Sequence, residues 1–143
     1  MMTESARNYL IFTLSGQRYA FDLAQVIEVV DQPATWQIPL APPCYHGAMI
    51  FHGTIVAVMD LAMFLGLPEE HGSDKVIVLD SRIAALAFSV EGIIRITPLG
   101  ETELSRTPGD EAFAHGQLNL PEGKVILLDA ADIAEHAAET IND

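Results

Sequence analysis

A chain of 143 residues, half of them hydrophobic, is sized for a single domain over 1–143 that buries about two thirds of its unfolded surface. Seven Lys and Arg stand against twenty Asp and Glu, and the net charge of −13 argues against nucleic-acid binding and against an anionic membrane surface. Apolar runs break at Gly, Asp or His well short of the about 20 residues that span a bilayer, so no direct membrane insertion is expected. No basic-then-apolar leader opens the chain, and its single cysteine, Cys44, forms no internal disulfide, which together predict a cytoplasmic protein. The acidity reads as solubility, with steering toward a basic partner surface as the sharper alternative.

Taken in chain order, the dominant signal is short β-branched runs between turn residues. Strands are predicted at 9–14 and 18–23 around Ser15-Gly16-Gln17, and at 48–51 and 54–60 around His52-Gly53, both as hairpins. Residues 75–80, 82–90, 93–97 and 124–129 follow as strands, with weaker candidates at 26–30 and 116–119. About ten short strands at this spacing predict barrels or a sandwich. The four prolines of 32–47 mark an extended connection, and 97–116 reads as the most loop-like and mobile stretch. Helical signals are confined to 61–65, closed by Gly66 and Pro68, and to the amphipathic 130–141.

A weak internal echo links "GTIVAVMDLA" (53–62) with "GKVILLDAA" (123–131), each running Gly, apolar strand, Asp, helix, at lengths that differ by one. It suggests two similar halves, about 9–72 and 73–143 with strands open to exchange between them, which must share a core because a five-stranded unit of about sixty residues is marginal alone. Asp60 ends a buried strand, as catalytic carboxylates often do. The recurrence at Asp129 favours capping, since each can accept orphan N–H groups of a following helix.

Other chemistry finds little support. Of His46, His52, His71, His115 and His136, none forms the paired spacing of a zinc site with Cys44, so no metal and no cofactor are expected. Asp132, Glu135, His136 and Glu139 read as the solvated face of the last helix rather than a chelate. Cys44 has no basic neighbour to lower its pKa. Nucleophile-elbow, dinucleotide and phosphate-loop motifs are absent, and no catalytic residue is assigned.

In order, "YLIFTLSGQRYAFDLAQVIEVV", "IPLAPPCYHGAMIFHGTIVAVMDLAMFLG", "VIVLDSRIAALAFSVEGIIRITPL" and "KVILLDAADI" resemble the CheW-like domain family from residue 9 to about 136. The resemblance implies a mainly β fold: two packed five-stranded SH3-like barrels with short helices and a C-terminal helix. It implies a non-catalytic adaptor coupling chemoreceptors to a CheA-type histidine kinase, recruited to receptor arrays at the inner membrane. The implied partners are the kinase's regulatory domain and the cytoplasmic tip of a methyl-accepting chemoreceptor. Carried over by motif, the partner-binding positions are Val26, Glu28, Gly47, the His52-Gly53 turn, Ile93 and Ile96. Val26, Ile93 and Ile96 read equally well as core, and Gly47 as a backbone-geometry residue.

Three arginines usual in the family are missing: Val30, His52 and Ala62 stand in their places. Each could have held a carboxylate bidentately. Two other readings stay open beside the adaptor. One is a small-ligand-binding or regulatory module on the same barrels; the other is a hydrolase using Asp60.

Overall fold

The computed structural model describes residues 7–31, 33–68, 75–100, 104–105 and 113–142. His71 and half of the predicted loop 97–116 lie outside these, and the described residues of that stretch are mostly strand. In chain order the elements are β1 (Arg7–Leu14), β2 (Gln17–Asp22), a 3-10 turn (Leu23–Gln25), β3 (Val26–Asp31), β4 (Tyr45–Phe51) and β5 (Thr54–Asp60). Helix α1 (Leu61–Phe64), β6 (Lys75–Leu79), β7 (Leu86–Val90) and β8 (Gly92–Leu99) follow. The two-residue β9 (Leu104–Ser105), β10 (Ala114–Leu120), β11 (Gly123–Leu128) and α2 (Ala130–Asn142) complete the order. No helix among the described residues is long and apolar enough to cross a membrane.

Local chemistry sets the turns. Ser15 and Gly16 have φ of 50° and 75°, and His52 and Gly53 have 49° and 80°. Positive φ at both central residues is what a two-residue type I′ hairpin turn requires. Gln17 therefore begins β2 instead of belonging to the turn. The strand predicted from residue 82 starts only at Leu86. The Asp80 carboxylate accepts the Arg82 N–H at 2.9 Å and the Asp80 carbonyl accepts that of Ile83, which holds the chain in a turn.

The strands form two sheets, in the order β8-β1-β2-β11-β10-β9 and β3-β6-β7-β5-β4. Apart from the short β9, each has five strands of identical plan. An edge strand (β8 or β3) pairs with a hairpin, whose second strand (β2 or β7) runs parallel to the next hairpin (β11–β10 or β5–β4). The sheets do not follow the halves 9–72 and 73–143: β6 and β7 join β3–β5, while β1 and β2 join β8, β10 and β11. The echo is closer than the sequence suggested. Tyr45 pairs with Met59 where Ala114 pairs with Leu128, and Phe51 with Thr54 where Leu120 pairs with Gly123. The two hairpins thus match residue for residue, and the one-residue difference came from aligning Gly53 with Gly123.

Both faces of the inner strands β1, β2, β6 and β7 are buried, which explains why their sequences run apolar without clean alternation. Leu10, Phe12 and Phe21 of the first sheet meet Met59, Ile77 and Phe88 of the second in one shared core, closed by Leu128 and Ile133. Phe21 and Phe88 touch across the sheets with ring centroids 5.6 Å apart. The opposite faces line a smaller cluster in each sheet, Tyr9, Ile11, Leu118 and Val125 in the first and Met49, Val56, Val76 and Val78 in the second.

Candidate functional site

Asp60 is only 2 % exposed, at the end of β5, and its Oδ1 accepts the Met63 N–H of α1 at 3.1 Å. It is a helix N-cap, as the sequence implied. Asp129 does the same for α2, accepting from Ala131 and Asp132 and also from the Gln25 amide. Burial raises the Asp129 pKa, but these hydrogen bonds outweigh it and the carboxyl stands below its ordinary value.

The fold also assembles a Ser-His-Asp group that the sequence did not reveal. His46 Nε2 lies 2.8 Å from Ser89 Oγ and 3.9 Å from Asp60 Oδ2. A catalytic triad needs the serine and the carboxylate on opposite ring nitrogens, whereas here one nitrogen faces both. The Ser89 hydroxyl is 1 % exposed and can donate to the Met59 carbonyl at 3.4 Å. The group is a polar tie between β4, β5 and β7, its Asp60 and Ser89 buried and its His46 reaching the surface. Burial also pushes the neighbouring Cys44 thiol up, and the Asp60 carboxylate adds to this, against a reactive thiolate.

Asp132 of the last helix meets two histidines: His115 Nε2 of β10 and His136 Nδ1 of the helix itself lie 3.1 and 3.4 Å from its two carboxylate oxygens. The Asp132 backbone carbonyl, with Asp132, Glu139 and Glu135 around it, raises the His136 pKa above its ordinary value.

The most suggestive surface surrounds the β4–β5 turn. A groove of about 180 Å³ opens between β3, the β6–β7 turn and this hairpin. Val56, Val78 and Leu79 form its buried floor, with Ile27, Phe51 and Ala84 as its sides. His52 and Glu28 meet at its rim, 3.5 Å apart and both well exposed. The lip carries Asp80 and Arg82; that guanidinium holds the Asp80 carboxyl down to about 2, so its own charge is already matched.

Of the positions carried over by motif, Glu28, His52 and Gly53 come together at this rim or its turn. Val26 and Ile93 are half-buried against the shared core, while Ile96 is exposed on β8 of the other sheet. Gly47 is buried at a β-bulge with φ of 147°, and a Cβ there would sit 2.2 Å from the Trp36 carbonyl oxygen. Its role is backbone approach. Missed by sequence reasoning is Ile27, 57 % exposed, which a bulge between Val26 and Glu28 turns out of the ladder. Also missed is the cross-strand pair Ile50–Ile55 on the hairpin's other face, 60 % and 62 % exposed. "VIEVV" carries no local sign of a bulge, but isoleucine flanking a two-residue turn was a signal available in the sequence.

Comparison with known proteins bears on this arrangement. The CheW-like domain matches residues 8–138. A chemotaxis protein CheW from Thermotoga maritima is 25% identical over 130 residues, 88% of this chain and 86% of that protein. The scaffolding protein TtCheW from Thermoanaerobacter tengcongensis shares the fold with a TM-score of 0.76 at 23% identity, covering 85% of this chain and 88% of that one. The expected pair of packed SH3-like barrels is therefore the fold adopted. By its sequence over nearly the whole chain, this protein belongs to the CheW-like domain family.

Proposed function

We propose that this protein couples the cytoplasmic tip of a methyl-accepting chemoreceptor to the regulatory domain of a CheA-type histidine kinase. Family membership makes it a chemotaxis coupling adaptor; which surfaces meet which partner is our own reading. The β4–β5 tip is apolar on both faces, and this is the observation that carries it. The concave face, with Ile27 and Phe51, has room for a large aliphatic side chain from a helix, as helix-in-groove recognition requires. The flat Ile50–Ile55 face suits a second β-barrel. Occupying both faces fixes receptor and kinase in register without chemistry. Such an adaptor works in the cytoplasm, at receptor arrays on the inner membrane.

A hydrolase using Asp60 is disfavoured because that carboxylate caps α1 and the adjacent His46 is oriented wrongly for a triad. A small-ligand module is disfavoured because the groove is shallow, apolar and without converging polar groups on its floor. The test is co-sedimentation with receptor tips and kinase. Ile27→Asp is expected to abolish the receptor's share while circular dichroism stays native; retention of both partners by Ile27→Asp and by an Ile50→Asp, Ile55→Asp double variant would sink the proposal.

A further inference from the structure

Six cations lie among the described residues, and they divide into two groups. Arg7, Lys75 and Arg82 each meet an aspartate of their own, Asp22, Asp31 and Asp80. Arg18, Arg95 and Lys124 instead gather at one end of the first sheet around a single carboxylate, Glu122. Arg95 pairs with that carboxylate, Arg18 donates to the Glu122 backbone carbonyl at 3.1 Å, and Lys124 has no ion pair among the described residues. The Glu122 backbone N–H and Arg95 hold its carboxyl below its ordinary value. Among the described residues the other acid of this end is Glu91, whose N–H donates to the Thr13 carbonyl. With both acids counted, the described residues of this end are net positive in a chain of net charge −13.

Arg18 and Lys124 line a groove of about 570 Å³ at the end of the first sheet that corresponds to the apolar groove's end of the second. In the second sheet, edge strand β3 bulges at Ile27 beside the β4–β5 turn. In the first, edge strand β8 bulges at Ile94 beside the β10–β11 turn, since Phe12 pairs with Ile93 and Ile11 with Arg95. A bulge re-aims a side chain, and each turns an isoleucine into a groove. Both grooves thus hold a bulged isoleucine, one beside an apolar lining and the other beside Arg18, Lys124 and Ile126, although Lys124 and Ile126 match Ile55 and Ala57 on the opposite face of the first hairpin.

We propose that this second groove docks a carboxylate-rich peptide segment of a protein partner, its acids meeting Lys124 and Arg18 and an apolar side chain resting on Ile94. Glu122 already stands in for one such carboxylate. A polyphosphate backbone fits less well, because the isoleucines offer it nothing and the net charge of the chain repels a long polyanion. This docking does not depend on the receptor and kinase assignments above.

The test uses the full chain and a fluorescein-labelled peptide of glutamates flanking one leucine, read by anisotropy. Lys124→Glu is expected to weaken binding about tenfold or more, and Ile94→Ser to weaken it less. Glu122→Gln is expected to tighten it by freeing Arg95 and removing a competing charge near Arg18. Affinity should fall as ionic strength rises from about 0.01 M to about 0.15 M, where the screening length drops from about 30 Å to about 8 Å. Ile27→Asp should leave this binding unchanged, which separates its failure from that of the adaptor reading. The proposal is overturned if the glutamate peptide does not bind, if both charge variants bind like the parent chain, or if a lysine peptide or inorganic pyrophosphate binds as tightly.

Discussion

Hairpins β4–β5 and β10–β11 each begin with a His-Gly step at a bulge, with φ of 147° at Gly47 and 149° at Gly116. Each ends in an aspartate that caps a helix. Their outward residues differ. Where the first hairpin exposes Ile50 opposite Ile55, the second places Asn119 opposite Lys124. Where the first turns through His52-Gly53, the second turns through Pro121-Glu122. The shared residues are those the backbone needs: glycine where φ is positive, and a carboxylate where a helix opens. The differing ones satisfy no demand of the fold, since the same register tolerates Asn and Lys. Exposed isoleucines kept on one copy alone therefore point to a partner rather than to stability.

The comparison can be broken first at its glycines. Gly47→Ala combines a disfavoured φ with a clash against the Trp36 carbonyl, and should cost about 3–4 kcal/mol in urea unfolding. Gly116→Ala carries the same φ and should cost about 1–3 kcal/mol. Equal losses would mean that the segment around Trp36 yields, and that the two bulges are held alike.

The caps come next. Asp60→Ala should cost about 0.5–2 kcal/mol and Asp60→Asn should restore most of it, measured by the same unfolding. A catalytic acid would instead lose activity in the Asn variant with stability intact. Asp129 adds a pH dependence. Its folded pKa lies below the ordinary 3.8, so its contribution is complete above about pH 4 and is lost as pH falls through the lower folded value. Asp129→Asn should flatten that acid limb; an unchanged acid limb would remove Asp129 as its cause.

Smaller still on stability is the substitution that converts one hairpin's outer face into the other's. Ile50→Asn with Ile55→Lys should change folding by no more than about 0.5 kcal/mol yet remove the kinase regulatory domain from co-sedimented complexes. Full retention of the kinase would make the isoleucine pair incidental. Least of all, His52→Arg should leave stability within about 0.3 kcal/mol, because its contact with Glu28 is exposed. It should shift partner affinity by restoring a guanidinium at the turn, and an unaltered affinity would take that turn out of the interface.

The short strands, the two positive-φ turns and both capping aspartates were legible in the sequence because each is decided within a few residues. A Gly beside Ser or His sets a turn, and a carboxylate before a helix satisfies the nearest orphan N–H groups. Membership of a CheW-like fold was equally legible, since it rests on the order of many such local pieces. Tertiary structure alone decided which strands share a sheet, because pairing β1 with β8 or β3 with β6 depends on burying both strand faces at once. It alone decided that Ile27 rather than Val26 faces the groove, since a bulge shifts register by the needs of the neighbouring strand. It alone brought His46, Asp60 and Ser89 together and gathered Arg18, Arg95 and Lys124 at one end. These residues lie far apart in the chain, and only the closing of the two sheets around their shared core sets the distances between them.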